Sequence, residues 1–191
     1  MSPLTELIGS ANAYGWGKLL TSTSFESIAT VTVGSGGAST ITFSSIPGTY
    51  THLQIRGIGR SSNGGAPDNI YARINSDSST NYSNHYLWGN GTVAQATGGS
   101  NNDLYIAGRQ TGNDSLSNTF GATVIDILDY ANTNKYKTIR YLAGWDTNGA
   151  GEAWFASANW RSTSAITSLT FYNSFNWVQY SHFALYGIKS A

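Results

Sequence analysis

Three histidines and ten carboxylates are all the acid–base material that this 191-residue chain carries, and their spacing leaves them little to do. His52, His85 and His182 lie far apart in sequence, so no two suggest the close pair of a metal site. His52 falls on a predicted strand, where a solvent-facing or subunit-interface position is expected in place of general-base work. A glycosidase would need two carboxyl groups at a fixed separation. Beyond residue 24 the glutamates are Glu26 and Glu152 alone. Asp126 and Asp129 are predicted on opposite faces of one strand and so cannot flank a single bond. Asp126, inside an apolar run, reads as a hydrogen-bonded structural carboxylate at a loop end or interface. No nucleophile elbow, phosphate loop, paired-histidine zinc helix or calcium loop occurs. The expectation is a non-enzymatic protein with no catalytic residue, cofactor or metal.

The aromatic residues offer contact chemistry instead. Six Trp and twelve Tyr are many for this length. Trp154 and Trp160 share one face of a predicted strand, with Ala156 and Ala158 between them, which reads as core against a closely packed neighbour. Trp88 lies beside Gly89-Asn-Gly91, and Trp145 precedes Asp146-Thr-Asn-Gly149. A tryptophan next to a turn can stack on a sugar ring or fill a partner's pocket. Tyr71 and Arg73 face away from Ile70, Ala72 and Ile74, and both types are enriched at interfaces, so they are the candidate oligomer contact.

Stepping from these residues to what must position them, the composition is that of a β-protein. Only 10% of residues are charged, against roughly 25% in an ordinary globular chain. Ser, Thr, Asn and Gly take their place. Hydrophobic content of 40% excludes wholesale disorder. A net charge of zero gives no electrostatic footprint for nucleic acid or an anionic membrane, and it removes a barrier to self-association. No run approaches the ~18 apolar residues of a membrane helix. The start, Met1-Ser-Pro-Leu-Thr-Glu6, lacks the basic and apolar regions of a secretory signal, so synthesis in the cytoplasm as a soluble chain is expected. With no cysteine, disulfides and thiolate metal sites are impossible.

From Phe25 onward the hydrophobic period is two. Ala29, Val31 and Val33 alternate with threonines, Gly34-Ser-Gly-Gly37 turns the chain, and Ile41 with Phe43 resumes, which reads as a hairpin. Leu53 and Ile55 face inward, with His52, Gln54, Arg56, Ile58 and Arg60 opposite. Ile70, Ala72 and Ile74 mark a further strand. The polar stretch 76–102 holds one short strand near 82–88, and Leu104 with Ile106 marks the next. Residues 120–130 are apolar on both faces and read as a central strand. Runs over 136–145, 152–160, 166–172 and 177–188 complete ten or eleven strands with no helix. The expected fold is all-β: a single jelly-roll-like β-sandwich over residues 25–191. Residues 1–24 stand apart as an extended N-terminal arm. Its Leu4, Leu7, Ile8, Tyr14 and Trp16 are interleaved with glycines and can pack on the chain's own domain or reach a neighbouring subunit.

The run Ser24-Phe-Glu-Ser-Ile-Ala-Thr-Val-Thr-Val-Gly34 with Ile41-Thr-Phe-Ser-Ser-Ile-Pro-Gly-Thr-Tyr-Thr-His-Leu-Gln-Ile-Arg56 resembles small bacteriophage virion proteins. Leu128-Asp-Tyr-Ala-Asn-Thr-Asn-Lys-Tyr-Lys137 and the ending Phe183-Ala-Leu-Tyr-Gly-Ile-Lys189 extend the resemblance over most of residues 24–189. It implies a virion structural protein of the capsid-decoration, cement or tail-fibre kind, without catalytic residues. A homo-oligomer, as a trimer, follows from the resemblance alone, since sequence does not set symmetry. The expected partners are sister copies and the major capsid protein, on the capsid exterior, with the arm residues Leu4, Leu7, Ile8, Tyr14 and Trp16 binding the capsid or a neighbouring subunit. The alternative is a tail-fibre or baseplate tip that docks tail proteins and binds a host surface glycan through Trp88 and Trp145.

Overall fold

The structure, a computed structural model, describes residues 24–65 and 67–189. The proposed arm with Leu4, Leu7, Ile8, Tyr14 and Trp16 lies outside the described residues. Within them the chain forms twelve strands and no helix. These are β1 (Phe25–Thr32), β2 (Ala38–Phe43), β3 (His52–Gly59), β4 (Asp68–Ile74), β5 (Tyr82–Gly89) and β6 (Ala94–Asn102). They are followed by β7 (Tyr105–Gln110), β8 (Gly121–Leu128), β9 (Lys137–Asp146), β10 (Gly151–Trp160), β11 (Leu169–Trp177) and β12 (His182–Ile188).

Two antiparallel sheets make a β-sandwich. One has eight strands in the order β1-β12-β3-β8-β9-β10-β5-β6; the other has four, in the order β2-β11-β4-β7. Their facing sides carry the alternating apolar residues. Leu53 and Ile55 of β3, Ile125 and Ile127 of β8, Ile70 and Ile74 of β4, and Leu169 and Phe171 of β11 are fully buried. Phe183 links Phe171 and Trp177 by ring contacts of 5.1 Å each. Each such side chain contributes ~1.5–3 kcal/mol on leaving water, so this layer, not the few ion pairs, carries the stability.

β7 closes the small sheet and packs across β8 and β9. The large sheet continues beyond β9 through β10, β5 and β6, of which β10 and β5 still touch β7 along their inner face. It is therefore wider than the layer covering it, and the excess is built by two hairpins. The β9–β10 turn has Asn148 and Gly149 at positive φ, as a two-residue hairpin turn requires. At the β5–β6 turn Asn90 Oδ1 accepts the N–H groups of Thr92 (3.0 Å) and Val93 (2.9 Å).

Several expectations need correction. β1 and β2 are not a hairpin: β1 pairs with β12 and β2 with β11, in different sheets. The end of β1 is held by the segment before β12, with Val33 donating to the Ser181 carbonyl at 2.8 Å. Residues 76–102 contain two strands, because β6 pairs with β5 along Ala94–Asn102. In β7 the buried apolar side chains are Tyr105 and Ala107, the phase opposite to Leu104 and Ile106. Trp177 ends β11 and does not open β12. Asp129 follows β8 in a turn at φ 48°, so it shares no strand with Asp126. Arg60 is buried, because the carbonyls of residues 113–119 cover its guanidinium.

Candidate functional site

The outer face of the eight-stranded sheet presents the feature with most consequence. Strand alternation sends Val124, Leu142, Phe155 and Leu87 away from the core, and the register places them opposite one another in that order across β8, β9, β10 and β5. They are 38%, 59%, 47% and 55% exposed. The row spans roughly 14 Å at the ordinary strand spacing. The next row on one side is small and apolar: Ile58, Ala122, Gly144 and Ala153 are cross-strand neighbours. On the other side Gln54, Asp126, Arg140, Ser157 and His85 line up in the same way.

Relief on this face is pronounced. A hollow of about 490 Å³ lies between Leu87, Phe155, His85 and Ala96. A second, about 280 Å³, lies beside Leu142 over Ala122, Gly144 and Ala153. Asp126 is hydrogen-bonded, as expected, but within β8 and not at a loop end: it accepts from Gln54 Nε2 at 2.9 Å and from Arg140 at 3.3 Å. The Arg56 guanidinium lies over the stacked rings of Phe25 and Tyr186, 5.4 and 5.8 Å from their centroids. Three contiguous rows of a solvated sheet thus carry apolar knobs, small-residue floors and a charged margin. Contiguous exposed apolar surface of this kind marks a contact site.

The inner face of the overhanging hairpins holds the aromatic residues. Trp88 and Trp154 stack in parallel at 5.7 Å, and Tyr86 stacks on Trp154 at 4.7 Å. Trp154, Ala156, Ala158 and Trp160 are all buried on one face of β10, as the alternation implied. Glu152 organises this end. One carboxylate oxygen accepts from Trp154 Nε1 (2.8 Å), Trp145 Nε1 (3.3 Å) and Arg109 Nε (3.0 Å). Arg109 also lies 5.2 Å over the Trp154 ring. Trp145 borders a cavity of about 380 Å³ with Asn90, Asp146 and Glu152, between the two hairpin turns. Trp88 and Trp145 are thus brought to one region, but Trp88 is committed to Trp154.

Tyr71 and Arg73 lie on the outer face of the small sheet, as expected. Arg73 binds the Asp103 carboxylate and packs over Tyr172 at 5.6 Å, while the Tyr71 hydroxyl accepts from Asn69 at 3.0 Å. Their polar groups have partners within the chain.

The remaining ionisable groups hold loops. Arg60 donates to the carbonyls of Asn113, Ser115, Leu116 and Thr119 at 2.8–3.0 Å, and burial lowers its pKa. Lys137 caps the carbonyls of Asn132, Lys135 and Thr163, again with its pKa lowered by burial. For Asp77, burial opposes ionisation. Bonds from Asn81, Trp160 and Ser79 outweigh it and hold the carboxyl at about 2. Glu26 bonds Tyr50 and Lys189 on β1, five strands from Glu152 on β10, or roughly 24 Å in the sheet plane. That is too far for the two glutamates to act as a glycosidase pair. Among the described residues no group of three His, Asp or Glu side chains could hold a metal ion.

Compared with known proteins, the chain matches no protein-family model, no curated protein and no solved structure.

The sequence reading does not single out Leu87, Val124, Leu142 and Phe155 as candidate contact residues. The signal was present: 120–130 is apolar in both phases, and so is Tyr141-Leu142. A run apolar in both phases, such as 120–130, reads as a strand covered on both faces. In a two-layer fold, a strand has a second layer on one side only, so apolar residues in the other phase must meet solvent or another molecule.

Proposed function

We propose that this chain is a non-enzymatic structural protein of a bacteriophage virion, acting as an oligomeric capsid decoration or cement protein with a jelly-roll fold. The strand order supports the fold. Setting aside the β5–β6 and β9–β10 hairpins, the strands follow β1-β12-β3-β8 in one sheet and β2-β11-β4-β7 in the other. Two four-stranded sheets between which the chain passes at every step but β4 to β7 are the arrangement of a double Greek key. The hairpins then act as insertions that widen one sheet. Jelly rolls serve both capsid and lectin domains, so the surface has to separate these uses.

The observation that carries the reading is the exposed row Val124–Leu142–Phe155–Leu87. Three of its four residues lie on strands of the added hairpins. A protein that works by covering and being covered needs a broad apolar face with few ions to strip of water. Arg60, Lys137 and Asp77 meanwhile hold loops, and Glu152 holds two indoles and a guanidinium.

Densitometry of purified virions tests it. A copy number near that of the major capsid protein is expected, and a low-copy band located on the tail would overturn it. The tail-tip reading has one observation of its own, the cavity beside Trp145 with Asn90 and Asp146. Glycan binding abolished by Trp145→Ala would favour that alternative. The cement reading expects no binding at millimolar glycan.

A further inference from the structure

We infer that the outer face of the eight-stranded sheet is the surface by which one copy of this chain docks a second copy, with Leu142 and Phe155 at its centre. The inference rests on the proposed oligomer but not on where in a virion the protein sits.

Two observations on this face, together with the chain's net charge and the way sheets pack, point to a second copy as the occupant. The knobs Leu142, Phe155 and Leu87 stand next to hollows of about 490 and 280 Å³ floored by alanine and glycine, so the face carries both halves of an interlocking contact. The margin holds charges of both signs: Asp126 is adjacent to Arg140, which is about half exposed, with Arg56 one row away. Turned about a two-fold axis, such a margin can set Asp126 of one copy against an arginine of the other, the self-complementarity of an isologous dimer contact, which differs from the heterologous contact of the trimer that the resemblance implies. The net charge of zero leaves no overall repulsion between copies. Sheets also pack face to face readily, interleaving side chains at ~10 Å. Such packing would bury a row that is 38–59% exposed in the single chain.

The full-length chain gives the test, by native mass spectrometry and light scattering at micromolar concentration. Wild type is expected to be oligomeric. Leu142→Lys and Phe155→Lys should weaken self-association at least tenfold, while Thr40→Lys, on the exposed outer face of the small sheet, should not. Because the chain has no cysteine, Leu142→Cys supplies a milder probe that keeps the site apolar. Mild oxidation should link two copies through position 142 and leave a Thr40→Cys variant unlinked. A monomeric wild type would overturn the inference. So would lysine variants that keep the wild-type mass together with an unlinked Leu142→Cys. If wild type is monomeric and deleting residues 1–22 makes it self-associate, the arm covers the face within one chain and the inference fails. Particle localisation bears on none of these outcomes, so failure of the cement reading would leave this test unaffected.

Discussion

Leu142 and Phe155 lie directly opposite each other on adjacent antiparallel strands, and both point away from the core. One face of that strand pair is spent on Tyr141, Trp154 and Ala156, which are buried between the sheets. The other face has no layer over it among the described residues. Cross-strand apolar pairs stabilise a sheet by only ~0.2–1 kcal/mol. Full burial of two such side chains is worth several times that. The larger gain comes only when a second surface covers them, which is why this pair anchors the functional reading.

Arg60 is the clamp of the 111–120 loop. It presents its guanidinium to four backbone carbonyls and is 7% exposed. Arg60→Met should keep the aliphatic packing but lose these charge-assisted bonds, destabilising the domain by ~2–3 kcal/mol. Hydrogen exchange should rise across residues 113–119 and stay low in β3 and β8. Unchanged exchange in the loop would remove Arg60 from this role.

Asp77 predicts the acid limb of stability. Its carboxyl is held at about 2, below the ordinary value of 3.8. A depressed folded-state pKa contributes stability that is fully present above about pH 4 and is lost as the pH falls through about 2. For this half-buried group the contribution is on the order of 1–2 kcal/mol. Asp77→Asn should lower stability at neutral pH by that amount and flatten the fall between pH 4 and 2. Denaturant titrations across that range would show it. A variant with the wild-type pH profile would assign the acid limb to other groups.

Glu152 ties two indoles and a guanidinium to one oxygen, at 12% side-chain exposure. Glu152→Ala leaves Arg109 and both N–H groups without that acceptor, at a cost of about 2–4 kcal/mol. Tryptophan emission should shift to the red as Trp145 loosens. Glu152→Gln, which keeps one oxygen there, should fall between. Unaltered emission and an unaltered unfolding midpoint would count against Glu152 as the organiser of this end.

How much of this was legible beforehand depends on what each strand buries. β3 and β4 alternate cleanly, and Leu53, Ile55, Ile70, Ala72 and Ile74 are all buried where the period puts them. β6, Ala-Gln-Ala-Thr-Gly-Gly-Ser-Asn-Asn, is an edge strand that buries nothing, so no period marks it. The glycine-rich link from Val33 to Ala38 can close a hairpin or carry the chain between sheets. The choice is made by distant partners, β12 and β11, that local pattern does not contain. Arg60 continues the outward phase of β3 in sequence, yet it is drawn in by carbonyls of a loop more than fifty residues away. At the candidate site the residue types were visible, but the register lining four apolar side chains across four strands arises only from pairing between distant segments.

The central claim is that the outer face of the large sheet is covered in the working protein. Carbene footprinting of the assembled wild-type protein measures this directly, residue by residue. Leu87, Leu142 and Phe155 should label weakly in spite of being 47–59% exposed in the single chain. Their labelling should rise in Leu142→Lys, while Tyr180, 68% exposed, labels strongly in both. Strong labelling of Leu142 and Phe155 in the wild-type assembly, equal to that of Tyr180, would contradict the account.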